Sequence, residues 1–114
     1  MGLARGGTDR ARSDVVSEEF ASGNWCVSPG REEEFVARWT EFLEWTRDSA
    51  PGLTAARLIH DADDPRHFIS FATWESREAL LRWRALPAFT EHLKACTALC
   101  DDFRGSNYSL AATV

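Results

Sequence analysis

The eight residues from Phe68 to Glu75, FISFATWE, constrain the fold of this chain more than any other stretch. Phe68, Ser70, Ala72 and Trp74 fall on one side of a strand, and Ile69, Phe71 and Thr73 fall on the other. Both sides are largely apolar, so both must be covered. Immediately afterwards Ser76 stands as the N-cap of an amphipathic helix that carries Ala79, Leu80 and Trp83 inward. The pattern therefore demands a helical layer on one side of a sheet and a second cover on the other.

The rest of the chain supplies the remaining parts. Glu19 to Val27 reads as a first strand closed by the turn residues Ser28, Pro29 and Gly30. A helix is predicted from about Arg31 to Asp48, with Phe35, Val36, Trp39, Phe42, Leu43 and Thr46 on one face. Glu32, Glu33 and Glu34 occupy its first turn, where negative charge complements the helix dipole. Ala50, Pro51 and Gly52 end it, and Leu53 to Asp61 forms a second strand. Strand three runs from His67 to Glu75. The helix after Ser76 is interrupted at Pro87 and resumes with Phe89, Leu93, Cys96 and Cys100 on one stripe. A last strand is expected from Ser106 to Val114.

The order β-α-β-β-α-β is the α+β, ferredoxin-like plan: an antiparallel four-stranded sheet with both helices on one face. Ile69 and Phe71 then lie on a bare apolar face, for which a second copy of the chain is the expected cover, giving a homodimer. Residues 1 to 17 mix Gly, Arg, Asp and Ser without periodicity and are read as a flexible N-terminal arm, with the folded domain spanning 18 to 114.

Composition removes several functions. The chain has 114 residues, room for one core, and a net charge of −5 with its basic residues scattered among acids, which argues against nucleic acid. Three widely spaced cysteines fit reduced thiols and a cytoplasmic location. No apolar run reaches membrane-spanning length. Cys96 and Cys100, one turn apart, read either as a metal pair or as packed thiols; without further ligands at metal spacing the packed reading is preferred and no metal is expected. Asp61, Asp63 and Asp64 read as a cation cluster or, more simply, as turn residues that satisfy backbone N–H groups. His60 and His67 flank that turn as surface or partner-facing polar groups. His92 lies on the shoulder of the last helical stripe, either as an imidazole base or ligand or as a plain helix-face histidine. Trp25, Trp39 and Trp45 read as core and interface.

The segments PGREEEF at 29 to 35, DDPRHF at 63 to 68 and WESREAL at 74 to 80 resemble the antibiotic biosynthesis monooxygenase family of dimeric α+β barrels. The resemblance covers roughly residues 19 to 114. It implies a pocket between helices and sheet that takes a small aromatic phenol or hydroquinone of polyketide type, oxidised by O2 without a dedicated cofactor. Within that reading Trp74 orients substrate, Ser70 offers a polar contact, and His92 is the available base, while Trp83, Leu80, Phe68, Phe89 and Trp39 form substrate walls. Ser70 and Leu80 stand where well-known cofactor-free members carry Asn and Tyr. The family's heme-degrading branch implies an alternative: His92 as axial ligand, Trp83 pressed on the porphyrin and Asn24 beside the iron. Strand alternation sets a condition on Asn24, because if Gly23 takes the pocket position Asn24 points to the opposite sheet face. A ligand-binding dimer without chemistry is the third reading.

Overall fold

A computed structural model describes residues 18 to 114. Four strands and three helices follow in the order β1 (Glu19–Val27), α1 (Glu32–Ser49), β2 (Leu53–His60), β3 (His67–Trp74), α2 (Arg77–Arg84), α3 (Phe89–Thr97) and β4 (Cys100–Ser109). The strands form one antiparallel sheet in the order β2-β3-β1-β4. This is the ferredoxin-like α+β arrangement expected from the alternating pattern. The proposed arm, residues 1 to 17, lies outside the described residues.

Local chemistry accounts for the elements. Ser76 adopts an extended backbone and its hydroxyl accepts from the Ala79 N–H at 3.1 Å, which caps α2 as its sequence position implies. Helix α1 ends at a turn in which Gly52 has φ 103°, a left-handed conformation that side chains avoid. The same glycine lets the turn touch α2, since a Cβ there would stand 2.5 Å from the Ala79 Cβ. The Asp61 to Asp64 turn holds itself through its own carboxylates: Asp61 Oδ1 accepts from the Asp63 N–H at 2.8 Å, and Asp64 Oδ1 from the Arg66 N–H at 3.0 Å.

One side of the sheet packs against the helices through Ala21, Trp25 and Val27 of β1 and Phe68, Ala72 and Trp74 of β3. Phe35, Phe42, Leu43, Leu80, Trp83 and Cys96 meet them from above. On the other side of the sheet Ile59 and Tyr108 are 51% and 54% exposed, and Ile69 and Phe71 are half-buried.

Two boundaries differ from expectation. Strand β4 begins at Cys100 and ends at Ser109, six residues ahead of the expected start at Ser106, so Cys100 opens a strand instead of closing a helical stripe. Its partner β1 begins at Glu19, which pairs with Ser109, and the ladder stops there. The early half of β4, CDDFRG, has one large apolar residue because it is an edge strand with one side in water, and that composition hides it from periodicity. Val36, expected in the core, is 40% exposed at the rim of the α1 stripe.

Candidate active site

Register across the four strands creates a trough. Asn107, Ala21, Ala72 and Ala56 form one cross-strand row on the helix side, and Gly105, Gly23, Ser70 and Leu58 form the next. Bulky residues flank these rows: Phe103, Trp25 and Phe68 on one side, Trp74 on the other. Where most neighbours across a sheet are small, the helices above cannot close the gap. A cavity of about 360 Å³ results, roofed by Trp39, Phe42 and Leu43 of α1 and by Phe89 and Leu93 of α3.

The floor is tuned at Gly23. A Cβ there would meet Trp25 Nε1 at 2.6 Å and Ser70 Oγ at 2.9 Å. Glycine therefore leaves room for the bond in which the Trp25 indole N–H donates to Ser70 Oγ at 3.0 Å. That bond uses an oxygen lone pair, so the Ser70 O–H remains a donor for an oxygen inside the cavity. Ser70 is 7% exposed.

Trp83 forms the wall toward α2. Its indole N–H donates to Thr46 Oγ1 at 2.9 Å, and Thr46 in turn donates to the Phe42 carbonyl at 2.9 Å, so the ring is tied to α1. Behind it lies Trp74, with ring centroids 4.8 Å apart. Trp74 is fully buried and its indole N–H has no acceptor among the described residues. An orphaned buried donor is uncommon and costs on the order of 1–3 kcal/mol.

At the rim, where Arg84, Gly105 and Asn107 are exposed, the cavity meets solvent. The Arg84 guanidinium donates through Nη2 to Asn107 Oδ1 at 2.7 Å. Partial burial pulls the Arg84 guanidinium below its ordinary range.

Of the residues singled out from the sequence, Ser70, Trp83, Phe89 and Trp39 line this cavity. Trp74, Leu80 and Phe68 do not: all three are packed solid, Phe68 between the rings of Phe35 and His60 at 5.2 and 4.2 Å. His92 is also elsewhere. Its imidazole packs against Phe42 at 5.8 Å and Trp45 at 4.5 Å and does not line the cavity. Trp45, read as core or interface, stacks on His92 at 4.5 Å. Asn24 points to the opposite sheet face, where its Oδ1 meets His67 Nε2 at 2.8 Å. His67 Nδ1 in turn meets Asp61 Oδ2 at 2.8 Å, and this bond holds the Asp61 carboxyl below the usual carboxylate range. Of the three residues named for a heme site, Trp83 lines the cavity, whereas Asn24 and His92 do not.

Reading the sequence missed Gly105, Arg84 and Asn107. Asn107 and Gly105 were hidden by the misplaced start of β4; once Phe103 is set opposite Trp25, strand parity puts both on the helix side. Arg84 carries no local signal beyond a cation in the last turn of a helix. Cys96 and Cys100 are packed thiols, pushed up to about 12 and about 11 by burial, and no metal-ligating cluster occurs among the described residues. No helix among them is long and apolar enough to cross a membrane.

Comparison with known proteins gives the site a context. Residues 21–95 match the family model described as antibiotic biosynthesis monooxygenase. An uncharacterized protein of Synechocystis sp. is 33% identical over 73 residues, which is 64% of this chain and 49% of the relative, so the chain matches about half of that protein's length. Among solved structures, SnoaB, a cofactor-independent oxygenase from Streptomyces nogalater, superimposes with a TM-score of 0.78 at 21% identity, covering 86% of this chain and 97% of SnoaB. A structure described as an antibiotic biosynthesis monooxygenase gives 0.68 at 24% identity, covering 84% and 99%. A conserved protein of Methanosarcina mazei gives 0.75 at 14% identity over 85% and 96%.

Proposed function

Because the chain belongs to the antibiotic biosynthesis monooxygenase family, we propose that it oxidises a small aromatic phenol, hydroquinone or anthrone with O2, using the cavity under α1 and α3 and no dedicated cofactor. The observation that carries this reading is the cavity itself: an aromatic-walled space of about 360 Å³ with one buried hydroxyl on its floor. Flat aromatic substrates gain by removing their faces from water against Trp39, Phe42, Trp83 and Phe89.

The chemistry needs an anion. A phenolate or anthrone enolate is electron-rich enough to pass one electron to O2; recombination of the two radicals forms a C–O bond, and loss of water leaves a carbonyl. For an anthrone, CH2 plus O2 becomes C=O plus H2O, one oxygen atom going to each product. The protein's part is to favour the anion and hold it still. The Ser70 hydroxyl, its lone pair occupied by Trp25, donates to the substrate oxygen as charge develops. The Trp74 indole N–H also lacks an acceptor among the described residues, but it lies behind Trp83 and outside the cavity lining, which leaves Ser70 as the donor in reach of substrate. Because His92 does not line the cavity, the proton leaves to water at the rim. The open sheet face, with Ile59, Ile69, Phe71 and Tyr108, is the surface through which two copies pair in this reading. Free thiols at Cys26, Cys96 and Cys100 are in keeping with a cytoplasmic setting.

Oxygen uptake with a panel of hydroquinones and anthrones tests the proposal. Turnover is expected with at least one bicyclic or tricyclic member, and Ser70→Ala should lower kcat by about a hundredfold, the usual effect of removing one donor to a developing oxyanion. Absence of turnover across the panel rejects the enzymatic reading.

A further inference from the structure

The lining of the cavity is largely aromatic and aliphatic, and its one charged residue among those described is Arg84, which reaches from the end of α2 to Asn107 on β4. We propose that these two residues form a subsite for a carboxylate carried by the aromatic substrate. The inference rests on the oxidase reading and deepens it by naming the class: a phenolic aromatic acid, ring inside and acid at the rim.

Three observations carry it. Arg84 differs from the other arginines of its helix. Arg77 reaches Glu19 at 3.8 Å and Arg82 reaches Glu78 at 3.5 Å, whereas Arg84 has no carboxylate partner among the described residues. A cation in the last helical turn complements the helix dipole, but Arg82 already supplies one there, so the dipole does not explain why Arg84 turns to the cavity.

The second observation is the hydrogen bond to Asn107. One Nη2 N–H is committed to Asn107 Oδ1 at 2.7 Å, which fixes the plane of the guanidinium at the rim and leaves its remaining N–H groups without a protein acceptor among the described residues. With Oδ1 occupied, the Asn107 amide presents its NH2 as a further donor beside the guanidinium. A planar carboxylate accepts from two parallel guanidinium N–H groups and from this amide together.

The third is charge balance. One guanidinium in an otherwise uncharged lining neutralises one negative charge; a phosphate dianion would leave a second charge near Phe89 and Phe103. Partial burial strips Arg84 of some of its water, so an anion beside it restores interaction energy that solvent no longer provides.

Isothermal titration calorimetry with a hydroxynaphthoate and the matching naphthol that lacks the carboxylate tests the subsite without requiring turnover. The acid is expected to bind roughly tenfold tighter than the naphthol, as a charge-assisted bidentate pair gives. Arg84→Met should reduce that preference to within about twofold, and continued measurable binding of the naphthol reports that the cavity is intact. Arg84→Lys, which keeps the charge and loses the fork, should fall between them. If Arg84→Met does not fold, Asn107→Ala gives the same test through loss of the second donor, with an expected two- to threefold fall in preference. Equal affinity of the two ligands for the unaltered protein, or a preference that survives Arg84→Met, overturns the subsite alone. Failure of both ligands to bind removes the subsite together with the aromatic-substrate reading beneath it.

Discussion

The helix side of this sheet has two ends built on opposite principles. Under α2, Trp74 fills the space: it is wholly buried, Leu80 and Ala79 of α2 are buried too, and Gly52 is pressed so near Ala79 that no side chain fits between them. Under α1 and α3, by contrast, glycine and alanine empty the space, and a cavity remains. One strand, β3, serves both ends, with Trp74 at the packed end and Ser70 and Ala72 at the hollow one. The cavity is made by register, since a single small residue opposite a large one would be filled by its neighbour, whereas a row of small residues cannot be.

Changes at the packed end should cost the most. Trp74→Ala is expected to lower unfolding free energy by about 3–5 kcal/mol in urea titration, the range for removing a large aromatic from a closed core. A loss near zero would mean the α2 end is not solid and would dissolve the contrast. At the hollow end the informative change adds volume. Gly23→Ala drives a methyl group into Trp25 Nε1 and Ser70 Oγ, and is expected to cost about 1–3 kcal/mol while weakening naphthol binding measured by calorimetry. Unchanged binding in that variant would place the ligand elsewhere.

The smallest effect concerns the seam between α3 and β4, where Cys96 and Cys100 extend the packed region. Burial raises both thiols, to about 12 and about 11, from an ordinary value of 9.0. A raised folded-state value means that the folded protein holds these protons more tightly than the unfolded chain. Their contribution to stability is therefore complete below pH 9, declines as pH rises above it, and is lost once pH passes the folded values. Tm should fall between pH 9 and 11, and less steeply in Cys96→Ala. Equal slopes in the two proteins would show that the seam is open to water.

Legibility followed the same division. The packed end was readable from FISFATWES, because alternation, a Ser cap and a helical stripe are local signals, and the β-α-β-β-α-β order followed from them. Ser70, Trp83, Phe89 and Trp39 were likewise identified as candidates and do line the cavity. Trp74, Leu80 and Phe68 were expected at the same wall, but apolar periodicity identifies the buried side of an element without saying whether a residue borders a void or a neighbour. His92 sits on the expected shoulder of its helix, yet its ring packs against Phe42 and Trp45 of α1, a contact between helices that spacing along one helix does not encode.

By itself the sequence determined the layers, the sheet side that meets the helices and the family, since each depends on residues close together in the chain. Only the tertiary structure decided where the cavity opens and what stands at its rim. Gly23, Ser70 and Gly105 lie on three different strands, and Arg84 and Asn107 on a helix and an edge strand. Their meeting depends on strand register and helix placement, which are fixed by packing over the whole domain and not by any local run of residues.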